Sequence, residues 1–126
     1  MKLSLIATAA ALALAGAAAL CAGAVTVTVT AYCSCHRCCG PDACGLTASG
    51  TRPAQGRTVA ANWLPLGARV RLEGMPGVLT VEDRMSRRHP SRVDVFFARH
   101  DDARQFGVRK LRLTVIGPAR NNRRRQ

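Results

Sequence analysis

From Val25 to Ala31 the chain reads VTVTVTA, a strict alternation of apolar and hydroxyl side chains. A period of two puts every second side chain on one face, and β-branched residues suit extended backbone, so this stretch predicts a half-buried strand. The pattern recurs in short pieces. Residues 57–61 (RTVAA), 68–72 (ARVRL), 78–82 (VLTVE), 92–97 (RVDVFF) and 110–116 (KLRLTVI) each predict a strand. Breakers separate them. Residues 33–50, rich in Cys, Gly and Ser, predict a loop, and Leu64-Pro65-Leu66-Gly67 a turn. Glu73-Gly74-Met75-Pro76-Gly77 predicts a hairpin turn, and residues 84–91 a basic loop containing Pro90. The period changes once, over His100–Gly107, where Asp101 and Asp102 open and Gly107 closes one or two helical turns. Six short strands, frequent turns and one short helix predict a mainly β domain, a small barrel or sandwich. The barrel has the advantage that closure removes exposed edges.

The first residues follow a different rule. Met1-Lys2 precedes an Ala/Leu run that reaches Leu20 and ends at Ala22-Gly23-Ala24. A basic start, an apolar centre and a small-x-small site predict a signal peptide over residues 1–24, cleaved after Ala24, although the run also has the length of an anchor. Leu20 before Cys21 argues against lipid attachment. Residues 25–117 then form one domain, and residues 118–126 a basic disordered tail. A secreted or periplasmic protein is expected.

Charge narrows the partners. The 126 residues hold 19 basic and 7 acidic side chains, a net charge of +12, or +11 once Lys2 leaves with the signal. Such a bias favours adhesion to polyanions, here anionic lipid or cell-wall polymer. Export sets nucleic acid aside. The few aromatics (Tyr32, Trp63, Phe96, Phe97, Phe106) also give little platform for stacking on bases.

Against that excess of base, two acids stand inside apolar strand-like runs: Asp83 after Val81-Glu82, and Asp94 between Val93 and Val95. A carboxylate so placed is costly to desolvate and needs a partner or a function. Lying eleven residues apart with a loop between, the two can converge on one site from neighbouring strands. The plainer alternative is a buried Asp–Arg pair, through Arg84 or Arg92, with no chemistry.

The second concentration of chemistry is Cys33, Cys35, Cys38, Cys39 and Cys44 with His36, five thiols and an imidazole in twelve residues. Outside the cytoplasm the first expectation is disulfides, two bridges and an odd thiol, stapling the first strand. The rival is a structural zinc site built from four of these six side chains.

Several pieces have a family order. They are Ala31-Tyr32-Cys33, Thr47-Ala48-Ser49-Gly50-Thr51, Gly56-Arg57-Thr58-Val59-Ala60-Ala61, Leu64-Pro65-Leu66-Gly67-Ala68-Arg69-Val70, Val81-Glu82-Asp83, Arg92-Val93-Asp94-Val95-Phe96-Phe97 and Ala103-Arg104-Gln105-Phe106-Gly107. In this order they resemble the three-aspartate (3D) domain family. That family is related to the catalytic barrel of membrane-bound lytic transglycosylase A and to expansin-like proteins. The resemblance covers about residues 27–116 and implies a six-stranded double-psi β-barrel. The implied activity is cleavage of the bond between N-acetylmuramic acid and N-acetylglucosamine in peptidoglycan, giving 1,6-anhydromuramyl products. It implies Asp94 as the acid/base, with Asp83 raising its pKa or orienting sugar hydroxyls.

The chain departs from the family in two places. Asn62 stands where the third aspartate is expected, keeping hydrogen bonding but losing charge and proton transfer. An arginine-rich loop replaces a glycine-rich one. Its arginines would lower the pKa of a nearby carboxyl, or hold carboxylates of the substrate. The expected substrate-binding residues are Asn62, Trp63, Arg84, Thr47 and Ser49. Trp63 either stacks on a sugar or plugs a barrel end, and the Thr47–Gly50 turn shapes the cleft. The implied reaction requires no cofactor, structural zinc being an addition. The expected partners are peptidoglycan glycan strands, met by a monomer, and anionic envelope polymers at the basic surface. Two other classes remain: a noncatalytic wall-binding module, and a cysteine-stapled or metal-binding envelope protein in which the barrel is scaffold.

Overall fold

The alternating stretches all become strands in the computed structural model, which describes residues 23–118. The signal-peptide reading, with Cys21, and the basic tail lie almost wholly outside the described residues. The strands are β1 (Val25–Tyr32), β2 (Thr58–Ala61), β3 (Arg69–Leu72), β4 (Leu79–Asp83), β5 (Val93–Phe96) and β6 (Arg109–Gly117). They close into one barrel in the order β1-β5-β2-β4-β3-β6. The sheet is mixed: β1 with β5 and β2 with β4 are parallel, and the other four pairs are antiparallel. The Glu73–Gly77 turn does join a hairpin, since β3 and β4 pair antiparallel across it.

One set of alternating positions fills the barrel. Val27, Val29, Val59, Ala61, Val70, Leu72, Leu79, Val81, Val93, Val95 and Leu113 form the buried core. Leu113 completes the closure, because β6 pairs with β1 at Val25 and with β3 at Leu72 from this one residue. The opposite set of positions carries a smaller buried cluster of Tyr32, Ala60 and Phe96.

Twice a strand is threaded between two consecutive ones: β5 between β1 and β2, and β2 between β4 and β5. The strands bearing Asp83 and Asp94 are therefore not neighbours, as the sequence had suggested; β2 separates them. The cysteine-rich stretch is not all loop either. It contains the short helix α1 (His36–Cys39). The longer helix α2 (His100–Phe106) has Asp101 and Asp102 in its first turn and ends at Gly107, φ 65°, whose N–H bonds the Ala103 carbonyl. Phe106 anchors α2 to the core, with the Arg109 guanidinium 4.3 Å from its ring centre.

The core assignment predicts a contrast along β6. Leu113→Ala removes a side chain with no exposed surface and is expected to cost about 2–5 kcal/mol. Ile116→Ala, at an exposed position of the same strand, should cost under about 1 kcal/mol. Urea denaturation of both variants measures the difference, and equal losses would contradict the closure assigned to Leu113.

Candidate active site

Threading β2 between β4 and β5 brings the two aspartates to one place. Ala60 of β2 pairs with Asp94 on one side and with Asp83 on the other. The second pairing depends on a register shift. Val59 opposes Val81, but the next residue, Ala60, opposes Asp83, and Glu82 is skipped. A bulge of this kind re-aims side chains, and here it substitutes Asp83 for Glu82 beside Ala60. With strands about 4.8 Å apart, the two aspartate backbones lie about 10 Å apart across a floor made by a methyl group.

Strand β1 supplies the partners. Thr30, paired with Asp94 across β1 and β5, donates its hydroxyl to Asp94 Oδ1 at 3.0 Å. Tyr32 donates its phenol to Asp83 Oδ2 at 2.9 Å. Asp83 Oδ1 accepts two backbone N–H groups, from Ala48 at 2.9 Å and Arg84 at 2.8 Å. These groups border an open cleft of about 630 Å³, also lined by His89 and Arg92.

The two carboxyls are in different surroundings. Asp83 is held by three donors. Asp94 has Thr30 alone, and burial pushes its pKa up from 3.8 to about 6, with the charge of Asp83 adding to the rise and the Thr30 bond opposing it. Burial, and then Asp83 beside it, also raise the Tyr32 phenol, so Tyr32 stays a neutral donor. The arginines expected to lower a nearby carboxyl do not pair with either aspartate. Arg84 turns its guanidinium to the Ala61 and Leu64 carbonyls. The ion pair among the described residues is Arg57 with Glu82, at 3.0 Å.

Of the five expected substrate-binding residues, Arg84 lines this cleft with Asp83 and Asp94. The other four are placed around it. Asn62 donates to the Ser86 carbonyl and accepts from the Met85 N–H, each at 3.1 Å, and so pins the basic loop. Trp63, partly exposed, donates its indole N–H to the Arg92 carbonyl at 3.2 Å. Thr47 is buried and shares a 2.7 Å hydrogen bond with Thr51. Ser49 bonds the Glu82 carbonyl through its N–H, at 3.0 Å, and through its hydroxyl. The Thr47–Gly50 turn is thereby docked on β4, where Ala48 reaches Asp83. Thr30 and Tyr32 were not singled out from the sequence. Alternation puts both on the face opposite Val27 and Val29, but nothing local says that β5 lies alongside.

The cysteines form a second centre. Cys33 follows β1, Cys35 and Cys38 belong to the turn of α1, and His100 opens α2. Cys33 Sγ lies 3.0 Å from Cys35 Sγ and 3.5 Å from Cys38 Sγ. His100 Nδ1 lies 3.6, 3.3 and 3.6 Å from the sulfurs of Cys33, Cys35 and Cys38. This cluster of three thiols and one imidazole, with all four donor atoms within 4.8 Å of one another, could coordinate a metal ion.

The expected disulfides are absent among the described residues, where Cys33, Cys35, Cys38, Cys39 and Cys44 are all free. The metal alternative also changes membership. His100 takes the place of His36, which is exposed. Cys39 donates to the Cys33 carbonyl at 3.2 Å, and Cys44 lines the aspartate cleft. As thiols, two of the cluster differ: burial raises Cys33, and the bond from its S–H lowers Cys35.

The raised pKa of Asp94 makes a prediction about stability. The folded protein holds this proton more tightly than the unfolded chain, so keeping Asp94 ionised in its half-buried site destabilises the fold above pH about 6. Asp94→Asn should therefore stabilise the protein by about 1–3 kcal/mol at pH 8. The gain should shrink as pH falls from about 6 toward 3.8. Denaturant unfolding across that range checks it, and a gain independent of pH would contradict the assignment.

No protein-family model matches the chain, and no curated protein matches it. The closed, mixed, six-stranded topology is consistent with the double-psi barrel superfamily, which includes lytic transglycosylases.

Proposed function

We propose that this protein is a secreted peptidoglycan lytic transglycosylase that cleaves the bond between N-acetylmuramic acid and N-acetylglucosamine. The observation that carries the reading is Asp94, a half-buried carboxyl with its pKa raised to about 6 on the border of an open cleft, with Asp83 two strands away. A carboxyl poised near the working pH can both give and take a proton.

In the forward step Asp94, protonated, gives its proton to the glycosidic oxygen as the bond to the muramic C1 breaks. The 6-hydroxyl of the same sugar attacks C1, and the Asp94 carboxylate removes its proton. One C–O bond breaks, one forms within the sugar, and Asp94 regains its proton without consuming water. Asp83 is fixed by Tyr32, Ala48 and Arg84. It favours the protonated state of Asp94 and places a second carboxyl on the side of the cleft where positive charge develops at C1. His89 and Arg92 on the cleft wall suit the lactyl and peptide carboxylates of the substrate, while Arg84 is engaged with the Ala61 and Leu64 carbonyls.

These steps require no cofactor. A metal held by the three cysteines and His100 would be zinc by its donor set and would supply a structural cross-link. The envelope location, the anionic polymers as a second partner of the basic chain, and action as a monomer belong to the same reading.

A second reading, a noncatalytic peptidoglycan-binding module, is favoured by one observation. Asn62, at the place of the third family aspartate, has its amide engaged with the Ser86 and Met85 backbone.

Mass analysis of purified sacculi incubated with the exported chain separates the two. Soluble anhydromuropeptides are expected, falling by about 10²–10⁴-fold with Asp94→Asn while sedimentation with sacculi is retained. Because the reactive form is the acid, kcat/KM should decline as pH rises above about 6. Intact sacculi carrying bound protein would establish the binding module instead.

A further inference from the structure

The helix α1 is held by very little. It has four residues, buries none of them and has no side-chain cap. Its backbone bonds, from the N–H groups of Cys38 and Cys39 to Cys35 O and of Gly40 to His36 O, are internal to the segment. A single turn with no apolar face is not stable on its own. Yet Cys38 and Cys39 form part of the wall of the aspartate cleft, so something must fix the segment if the cleft has a defined shape.

The four donor atoms of the cysteine cluster join this segment to its surroundings. Cys33 is buried at the end of β1, and His100 starts a helix anchored by Ala103 and Phe106. Cys35 and Cys38 lie in the segment that packing does not hold. Two donors thus come from the frame and two from the piece to be fixed. In a tetrahedral zinc site, with metal–sulfur bonds of about 2.3 Å and metal–nitrogen bonds of about 2.0–2.1 Å, sulfur and nitrogen stand about 3.5 Å apart. The three distances from His100 Nδ1 are 3.6, 3.3 and 3.6 Å. Cys33 Sγ, 3.5 Å from Cys38 Sγ and 3.0 Å from Cys35 Sγ, would have to open toward about 3.8 Å, the spacing of two zinc-bound sulfurs. Three soft thiolates with one imidazole select zinc over the hard cations magnesium and calcium. No fifth donor is needed, and a closed four-ligand site is structural.

We propose that Cys33, Cys35, Cys38 and His100 bind one zinc ion, and that this ion acts as a clasp fixing α1 to β1 and α2 and so setting one wall of the aspartate cleft. The metal site stands whether the cleft cleaves glycan or only binds it. Cys39 and Cys44 stay outside the site and face the cleft.

The test uses the exported chain, purified under reducing conditions and loaded with zinc alone. Native mass spectrometry should show equimolar zinc. Cobalt substitution should give thiolate-to-metal charge transfer and the intense visible bands of a tetrahedral site. His100→Ala and Cys38→Ser should weaken zinc binding by about 100-fold or more, whereas His36→Ala and Cys44→Ser should leave it unchanged. Chelation should speed hydrogen exchange across residues 34–45 and spare the barrel strands. The cobalt spectrum and the exchange experiment use the unsubstituted chain, so a variant that fails to fold does not remove the test. Failure of the reduced protein to take up zinc, or dependence on His36 in place of His100, would overturn the site. Zinc uptake with unchanged exchange on chelation would overturn the clasp. None of these readouts involves lysis, so their failure is distinct from failure of the proposed enzyme activity.

Discussion

The arrangement depends on β2 being hydrogen-bonded on both sides. All four of its residues are buried, and it lies between the strands that carry Asp94 and Asp83. Val59 and Ala61 point into the core, which leaves Ala60 facing the cleft between the two carboxyls. A larger side chain there would occupy the space that the acids share. The strand begins with a buried polar anchor. Thr58 Oγ1 accepts the Ala54 N–H at 2.9 Å and donates to Glu82 Oε2 at 2.8 Å. Glu82, the residue skipped by the bulge, is thus used outside the cleft, with Arg57 and Thr58, and that frees the next position for Asp83. The local irregularity gives two adjacent acids different tasks.

A site of this kind opposes the stability of the fold around it. Ionised carboxylates in half-buried positions are unfavourable unless donors compensate. Asp83 has its donors and Asp94 mostly lacks them. The barrel tolerates this because its core is continuous and lies on the other face of the same strands, where Val93 and Val95 flank Asp94 in sequence and are fully buried. The cost of holding Asp94 is offset by core residues that do not line the cleft.

This separation explains what could be read from the sequence. The six strands and α2 follow from local patterns, since alternation and the Asp101–Gly107 helix signals do not depend on distant residues. Asp83 and Asp94 could be singled out because charge inside an apolar run is anomalous wherever the run ends up. The order of the strands could not be read. Inserting β5 between β1 and β2 pairs Thr30 with Asp94 across 64 positions of sequence, and no local pattern encodes it. The same non-local pairing hid Tyr32 as the partner of Asp83. The cysteine stretch was legible only in part for a related reason. A cluster able to hold a metal was one of its two readings, but His100, which completes the cluster in place of His36, arrives from 62 to 67 positions away.

Strand β1 links the two centres. Alternate residues at its end give Thr30 to Asp94 and Tyr32 to Asp83, and the next residue, Cys33, opens the cysteine cluster. The end of the strand is secured by the Phe97 N–H on the Tyr32 carbonyl at 2.8 Å and by the edge-on contact of Tyr32 with Phe96, 5.5 Å between ring centres. These contacts belong to the barrel and do not depend on the cluster. The cleft accordingly has a floor made by Ala60 and the two acids, and a wall that includes Cys38, a member of the cysteine cluster that His100 completes.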